Sequence, residues 1–175
     1  MDDLKSKLDF IKSKESFLEK IKRIIPGYDG YANRDNAREL DTQLRSQLAL
    51  KLEQNRSKIR NTISNFSRYN RLFQATDIDK IEKKNDTAIA KFRSAARGYS
   101  GAFDVVKIMD EKLSKIYDFD ASLITNVEEI GVLFDNLLSI SEANQDTREA
   151  ESKVYAALTN LINKFDEREA ELRTM

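Results

Sequence analysis

The chain has 175 residues, which suits one domain with its own apolar core, and we expect residues 1–175 to form a single helical-bundle domain. It contains neither cysteine nor histidine, which excludes disulfides, thiolate zinc sites and histidine-based catalysis. Thirty basic residues balance thirty acidic ones, so net charge favours neither a strongly acidic nor a strongly basic partner.

The first predicted helix spans about residues 2–25 and ends at Pro26, which has no amide hydrogen to donate. The second spans about 34–73 and would be about 60 Å long if unbroken, at 1.5 Å per residue. Its polar stretch 55–61 is where a kink would fall. Both helices place apolar residues at three-four spacing, which is typical of one buried helical face.

A short connector follows at 74–77, with Thr76 or Asp77 as the expected helix N-cap. The third predicted helix then ends at Gly98. Its apolar positions are Ile78, Ile81, Ile89, Phe92 and Ala96.

The fourth predicted helix has the most regular pattern, because its stripe from 113 to 137 is apolar at every position except Asp120. A polar turn at 141–146 separates it from a fifth helix that closes the chain. The pattern predicts an all-α fold: an elongated antiparallel helical bundle, coiled-coil-like, with four long helices and a shorter one.

Four of the five glycines lie in two similar segments, Pro26-Gly27-Tyr28-Asp29-Gly30-Tyr31 and Gly98-Tyr99-Ser100-Gly101-Ala102-Phe103. In an up-and-down bundle both would fall at the same end and form one recognition surface. After the first segment, arginines at positions 34 and 38 share a helical face with Asp41 and Arg45, and guanidinium groups bind carboxylate or phosphate. The predicted partner- or anion-binding residues are Tyr28, Tyr31, Arg34, Arg38, Tyr99 and Phe103.

A structural role for the same residues is the alternative. The tyrosines would then cover the end of the bundle as a latch, and the arginines would pair with Asp35, Glu39 and Asp41. The sequence leaves both interpretations open.

Asp120 is expected to be buried, and a buried carboxylate requires a partner. We expect an arginine from a facing helix: Arg38, Arg45 or Arg97. We therefore predict Asp120, Arg45 and Arg97 as buried polar residues. The alternative is a divalent-ion site that Asp120 shares with Asp118 and Glu128.

Charge is unevenly distributed along the chain. Residues 45–71 contain seven basic residues and one acidic residue, whereas 128–151 contain seven acidic and one basic. The two segments either lie side by side and neutralise each other, or the basic helix is exposed and contacts an anionic membrane. No Gly-rich phosphate-binding loop supports nucleic acid as the partner.

The two Gly-Tyr segments resemble a family of uncharacterised helical bacterial and archaeal proteins. The resemblance rests on Pro26-Gly27-Tyr28-x-Gly30-Tyr31-x-x-Arg34-x-x-x-Arg38, on 97–103, and on Ile116-Tyr117-Asp118-Phe119-Asp120, and it covers roughly 21–120. This chain has Arg97 where the family pattern suggests an aromatic residue. The resemblance implies that the tyrosines, the two arginines and Asp120 act as one group, and it implies no activity.

These patterns favour a non-enzymatic interaction or scaffold protein that recognises a protein partner with the Gly-Tyr segments and the Arg34/Arg38 face. Two alternatives are a peripheral membrane-associated or self-assembling coiled coil that uses 45–71, and a carboxylate-based metal-binding protein. We expect no catalytic residues, no cofactor and no bound metal. Homo-oligomerisation stays open because the helical stripes suit a dimer as well as a monomer core. The first residues lack the features of a signal peptide, and no apolar stretch is long enough to span a membrane, so we expect a cytoplasmic location.

Overall fold

The computed structural model describes residues 19–25, 34–94 and 110–173, with the backbone alone described for 34–38 and 110–114. The described residues form an all-α bundle, as the sequence predicted. The first helix, α1, is described at residues 19–22 and is followed by a turn at 23–25. Four long helices follow: α2 (Arg34–Arg68), α3 (Ala75–Ser94), α4 (Asp110–Glu142) and α5 (Arg148–Arg173).

The four long helices form two hairpins, α2–α3 and α4–α5, that pack side by side. Each helix reverses the direction of the one before it, and α2 packs on both α3 and α4, while α5 also packs on both α3 and α4. The helices that pack together between the two hairpins, α2 with α4 and α3 with α5, run parallel to each other. For α2 and α4, three contacts in rising order establish this direction: Lys51 with Glu128, Lys58 with Asp135, and Asn65 with Ser141.

The hairpins give the bundle two different ends. At the turn end lie the α2–α3 and α4–α5 connections. At the loop end, α2 and α4 begin and α3 and α5 finish. The start of α2, which follows residues 26–33, therefore lies at the same end as the end of α3 and the start of α4, which border 95–109, as the alternation of helices predicted. The segments themselves lie outside the described residues.

The core consists of the apolar stripes that the sequence predicted on each helix. Residues from all of them are buried, including Ile21 of α1, Leu48 of α2, Phe92 of α3, Ile130 of α4 and Leu158 of α5. Rings from two helices meet where Phe92 and Phe165 pack edge to face, with centroids 4.6 Å apart. The three-four spacing therefore identified the buried face of each helix correctly.

Both connections at the turn end use the same local hydrogen-bond motif. After α2, Arg71 N–H donates to the Phe66 carbonyl at 2.7 Å, and Asn70 adopts a φ of 56°. After α4, Gln145 N–H donates to the Ile140 carbonyl at 3.1 Å, and Asn144 has a φ of 54°. A left-handed residue with this six-to-one hydrogen bond is the Schellman termination of a helix, and asparagine tolerates the left-handed region better than most residues.

Several predicted boundaries were wrong. The second helix ends at Arg68 and not at Phe73, because Asn70 terminates it and residues Leu72–Gln74 form a 3₁₀ turn. That turn leads directly into α3 at Ala75, so Thr76 and Asp77 lie inside its first turn and do not cap it. α2 continues without interruption through 55–61, where the sequence left a kink open: it is one helix from Arg34 to Arg68, about 52 Å at 1.5 Å per residue.

None of the helices in the described ranges combines the length and the apolar character needed to cross a bilayer.

Candidate functional site

A group of charged side chains is buried in the half of the bundle nearest the loop end. Each of these residues is 7% exposed or less, in contrast to the charged residues on the outer faces of the same helices. We call this group the buried ion network, and it consists of Asp41, Arg45, Asp120, Arg168 and Glu169.

Arg168 of α5 is the centre of the buried ion network. Its Nη2 donates to Asp41 Oδ1 of α2 at 2.5 Å, and its Nε donates to Asp120 Oδ1 of α4 at 2.5 Å. A longer contact of 3.4 Å joins its Nη1 to Oε1 of the neighbouring Glu169. One guanidinium group with five N–H donors thus contacts carboxylates from three helices.

Arg45 extends the network to the fourth long helix. Its Nε and Nη2 both contact Asp41 Oδ2, at 2.8 and 2.7 Å, one turn earlier in α2. Its Nη1 donates to the main-chain carbonyl of Phe92 in α3 at 3.1 Å. The network therefore joins α2, α3, α4 and α5 at one level of the bundle.

Glu169 gives the network a third carboxyl group against two guanidinium groups. Burial, together with the negative charge of Asp41, raises the pKa of Glu169 to about 7, against the opposing effects of Arg45, Arg173 and Lys91. The charge of the network therefore changes near neutral pH, because Glu169 gains or loses its proton there.

Ions that are removed from water lose several kcal/mol of solvation each, and their mutual attraction recovers this only when the geometry is good. Here the short contacts from Arg168 and Arg45 meet that condition. Replacement of such groups by apolar residues of similar volume is often neutral or stabilising. The network's contacts join four helices, and they form together only when those helices keep this arrangement.

The predicted contact residues fall almost entirely in segments that the structure leaves out. Tyr28, Tyr31, Arg97, Tyr99 and Phe103 lie outside the described residues. For Arg34 and Arg38 the backbone is described, and it is helical, at the start of α2. The latch and the contact surface both stay predictions.

Helical spacing does place positions 34 and 38 in register with Asp41 and Arg45. The side chains of Asp41 and Arg45 point into the bundle, at 3% exposure each. The helical face that carries positions 34 and 38 is therefore an interior face by Asp41, about two turns after position 34.

Asp120 and Arg45 are buried, and they are not partners of each other. Asp120 contacts Arg168, whereas Arg45 contacts Asp41 and the Phe92 carbonyl. Among the described residues, sequence reasoning missed Arg168 as a partner of Asp120. The signal was present: Phe165, Arg168 and Leu172 continue the three-four stripe of α5, so Arg168 interrupts its stripe as Asp120 interrupts that of α4.

The proposed divalent-ion site does not form as expected in the described part of the chain. Asp118 is exposed, because two residues along a helix place it on nearly the opposite side from Asp120. Glu128 contacts Lys51 at 3.8 Å. Across residues 19–25, 34–94 and 110–173, no group of three acidic side chains is arranged to bind a metal ion.

The basic segment 45–71 lies beside α4, and four of its seven basic residues pair with carboxylates in the described part of the chain. Lys58 pairs with Asp135 at 2.6 Å, Lys51 lies near Glu128, and Arg56 pairs with Asp86 at 2.8 Å. Arg45 forms a buried ion pair with Asp41 inside the bundle. The two oppositely charged segments therefore do lie side by side, which was the first of the two arrangements that the sequence left open.

No protein-family profile, curated protein or solved structure matches this chain. The resemblance to uncharacterised bacterial and archaeal helical proteins stays a prediction. The function has to be inferred from the geometry of the chain itself.

Proposed function

We propose that the protein is a non-enzymatic interaction or scaffold protein that recognises a partner protein with its loop end. The observation that supports this is the position of the buried ion network, which joins all four long helices in the half nearest that end. A buried ionic group is a costly way to stabilise a bundle. Its presence here is consistent with a requirement that the helix ends keep one arrangement.

The contact surface would come from the two Gly-Tyr segments and the start of α2. Tyrosine and arginine are the residue types that most often dominate binding energy at protein interfaces, together with tryptophan. The contact residues are proposed to be Tyr28, Tyr31, Arg34, Arg38, Tyr99 and Phe103. Because the helix ends that border both segments lie together, residues from both would contribute to one surface.

The alternative of a peripheral membrane-associated protein has less support than the sequence of 45–71 suggested. It relied on the basic charge of 45–71, and much of that charge is paired with carboxylates of α3 and α4. Attraction to anionic lipid requires basic groups whose charge is still available at the surface. A protein partner at the loop end is therefore the function that we prefer.

The test is affinity capture from native lysate followed by mass spectrometry, with wild type compared with a Tyr31→Ala, Arg34→Ala variant. Circular dichroism first has to show that the variant keeps the helicity and melting temperature of wild type. A matched control removes an aromatic ring and an arginine from the opposite part of the molecule, Phe73→Ala with Arg60→Ala. Phe73 is 77% exposed, and Arg60 is exposed on α2.

We expect wild type and the control to capture the same partner and the folded Tyr31, Arg34 variant to lose it. Identical partners for all three proteins would reject the loop end as the contact surface. Loss of helicity in the Tyr31, Arg34 variant would instead favour the latch interpretation.

A further inference from the structure

A cavity at the turn end lies between the first turns of α3 and α5. Its volume is 290 Å³, at the lower end of the range for small-molecule sites in proteins, so it suits a small ligand. It is lined by Asp77, Lys80, Ile81, Arg148, Glu151, Ser152 and Tyr155. The buried ion network lies in the other half of the bundle, so this cavity is separate from the surface proposed above.

Glu151 is the charged group in this cavity that lacks an ionic partner among the described residues. Glu151 is only 7% exposed, and its Oε1 accepts a hydrogen bond of 2.6 Å from the Thr147 hydroxyl. The other charged lining residues are already paired in the structure. These pairs are Lys80 with Asp77 at 2.7 Å and Arg148 with Asp146 at 2.6 Å.

The surroundings of Glu151 disfavour its negative charge. A cationic ligand bound next to the carboxylate would offset this effect. Burial raises the pKa of Glu151, and the charges of Asp77 and Asp146 raise it further. The Thr147 hydrogen bond and the more distant Arg71 act in the opposite direction, with a smaller combined effect. A positive group beside the carboxylate would favour the ionised form and would itself be attracted.

The walls of the cavity suit an alkyl stem that carries such a group. Ile81 is buried at 2% exposure, and the Tyr155 ring is 41% exposed at the rim. The Tyr155 ring already attracts a cation, because Lys84 Nζ lies 5.0 Å from its centroid. The cavity therefore combines a carboxylate, an aromatic ring and an aliphatic side chain.

We propose that this cavity binds a small organic cation, a primary ammonium on a short alkyl stem, with the ammonium beside Glu151 and the stem between Ile81 and Tyr155. The proposal goes beyond partner recognition at the loop end and does not depend on it.

An anionic ligand is the rival that the test must exclude. The N-termini of α3 and α5 both favour negative charge, and Lys80 and Arg148 line the cavity. The first turns, however, already contain carboxylates, and Asp77 and Asp146 pair with these two cations. The Glu151 carboxylate would repel an anion placed beside it.

The test is a titration of the full ¹⁵N-labelled chain with n-butylammonium, followed by amide chemical shifts around 148–155. Butyrate and n-butanol serve as probes of similar size with negative and no charge. We expect saturable shifts with n-butylammonium, much weaker shifts with n-butanol and none with butyrate. Saturable binding of butyrate, or equal binding of the ammonium and the alcohol, would overturn the proposal.

Glu151→Gln should weaken n-butylammonium binding about tenfold or more, since the acceptor beside the ammonium loses its negative charge and a charge-assisted hydrogen bond becomes an ordinary one. The matched control is Glu149→Gln, which removes the same charge from the same helix at an exposed residue paired with Lys153 at 2.6 Å. The control should bind within about twofold of wild type. Equal weakening in both variants would reject Glu151 as the binding group.

Tyr155→Ala provides a second variant at a partly exposed position, should Glu151→Gln disturb folding. Loss of the aromatic wall should weaken n-butylammonium binding several-fold, because the apolar contact between the alkyl stem and the ring is removed. Unchanged affinity in Tyr155→Ala would contradict the placement of the stem.

Discussion

The two halves of this bundle are organised by different interactions. Toward the loop end, charged side chains from α2, α4 and α5 meet at Arg168, and Arg45 adds a contact to α3. At the turn end, two helices terminate in Schellman motifs at Asn70 and Asn144, made by main-chain groups a few residues apart. The half nearest the loop end is joined by buried ionic contacts, whereas the turn end combines these local main-chain hydrogen bonds with uncharged contacts between helices, such as Asn65 Nδ2 to Ser141 Oγ at 2.9 Å.

The two kinds of interaction depend to different degrees on the rest of the fold. A Schellman motif determines where a helix stops and depends little on the rest of the fold. A buried ionic contact, by contrast, is favourable only when every member is correctly placed. We infer that the network makes the relative position of the helices at the loop end more specific, with little net gain in stability.

The largest effect is expected from Arg168→Ala. The change would leave Asp41, Asp120 and Glu169 close together in the interior without the guanidinium that contacts all three. Removing one member of a buried ionic pair typically costs 3–5 kcal/mol, so we expect a loss of about that size in the free energy of unfolding. Urea denaturation followed by circular dichroism measures it.

The matched change is Arg60→Ala, at an exposed arginine of α2, where we expect a change within about 0.5 kcal/mol. A similar cost for the two variants would mean that Arg168 is not the centre of the network.

Glu169→Gln should stabilise the protein, but only in part of the pH range. Because the folded-state pKa of Glu169 is about 7 and its ordinary value is 4.5, the folded protein retains a proton that the unfolded chain loses in this window. Wild type therefore loses stability as pH rises from 4.5 to 7, by roughly 2–3 kcal/mol from this group, and the glutamine variant does not.

The stability difference between Glu169→Gln and wild type should be near zero at pH 4 and reach its full size by pH 8. Urea denaturation at several pH values measures this difference. The control is Glu167→Gln at an exposed position, whose stability should stay close to that of wild type at every pH. A difference that does not change with pH would contradict the assignment to Glu169.

Asn144→Ala tests the turn end, and its effect should be smaller. The residue has a φ of 54°, where a Cβ-bearing side chain other than asparagine or aspartate is strained by about 1–2 kcal/mol. Asn144→Gly removes the same side chain, including the 3.1 Å hydrogen bond from Arg71, without that strain. Thermal melting should show the alanine variant about 1 kcal/mol less stable than the glycine variant, and equal stabilities would argue against a left-handed residue here.

The smallest effect is expected at the surface pair of Lys51 and Glu128. Their charged atoms are 3.8 Å apart, and both side chains are 38% exposed, so water and salt screen the attraction. A double-mutant cycle with Lys51→Gln and Glu128→Gln should give a coupling energy of about 0.2–0.5 kcal/mol. The coupling should vanish in 1 M salt; a coupling that survives high salt would show that the pair is effectively buried.

The sequence predicted the helices and their buried faces well because apolar spacing depends on the helix alone. It also marked Asp120 as an interior carboxylate, since a single charged residue interrupted a regular stripe. Helix boundaries were harder to predict: Phe73 was included in α2, although Asn70 ends the helix in the left-handed conformation, which asparagine tolerates but does not always adopt.

The pattern of α4 alone marked Asp120 as buried but did not point to Arg168 as a partner, because that pairing depends on which helices face each other. A simple up-and-down order makes α3 and α4 neighbours, whereas α4 packs on α2 and α5. The same stripe rule that marked Asp120 would also have marked Arg168, and on α2 it would have marked Asp41 and Arg45 in the series 41, 45, 48, 52. Joint inspection of polar interruptions on all helices would have brought these residues together.

The most direct test of this account is the free energy of unfolding of the double variant Asp120→Leu, Arg168→Met. It replaces two charged members of the network by apolar residues, while Asp41 retains Arg45 one turn away. If the network specifies position and adds little stability, the double variant should unfold within about 1 kcal/mol of wild type or be more stable, although Arg168→Ala alone loses 3–5 kcal/mol. A double variant as unstable as Arg168→Ala would show that the network is a main source of stability and would contradict the account.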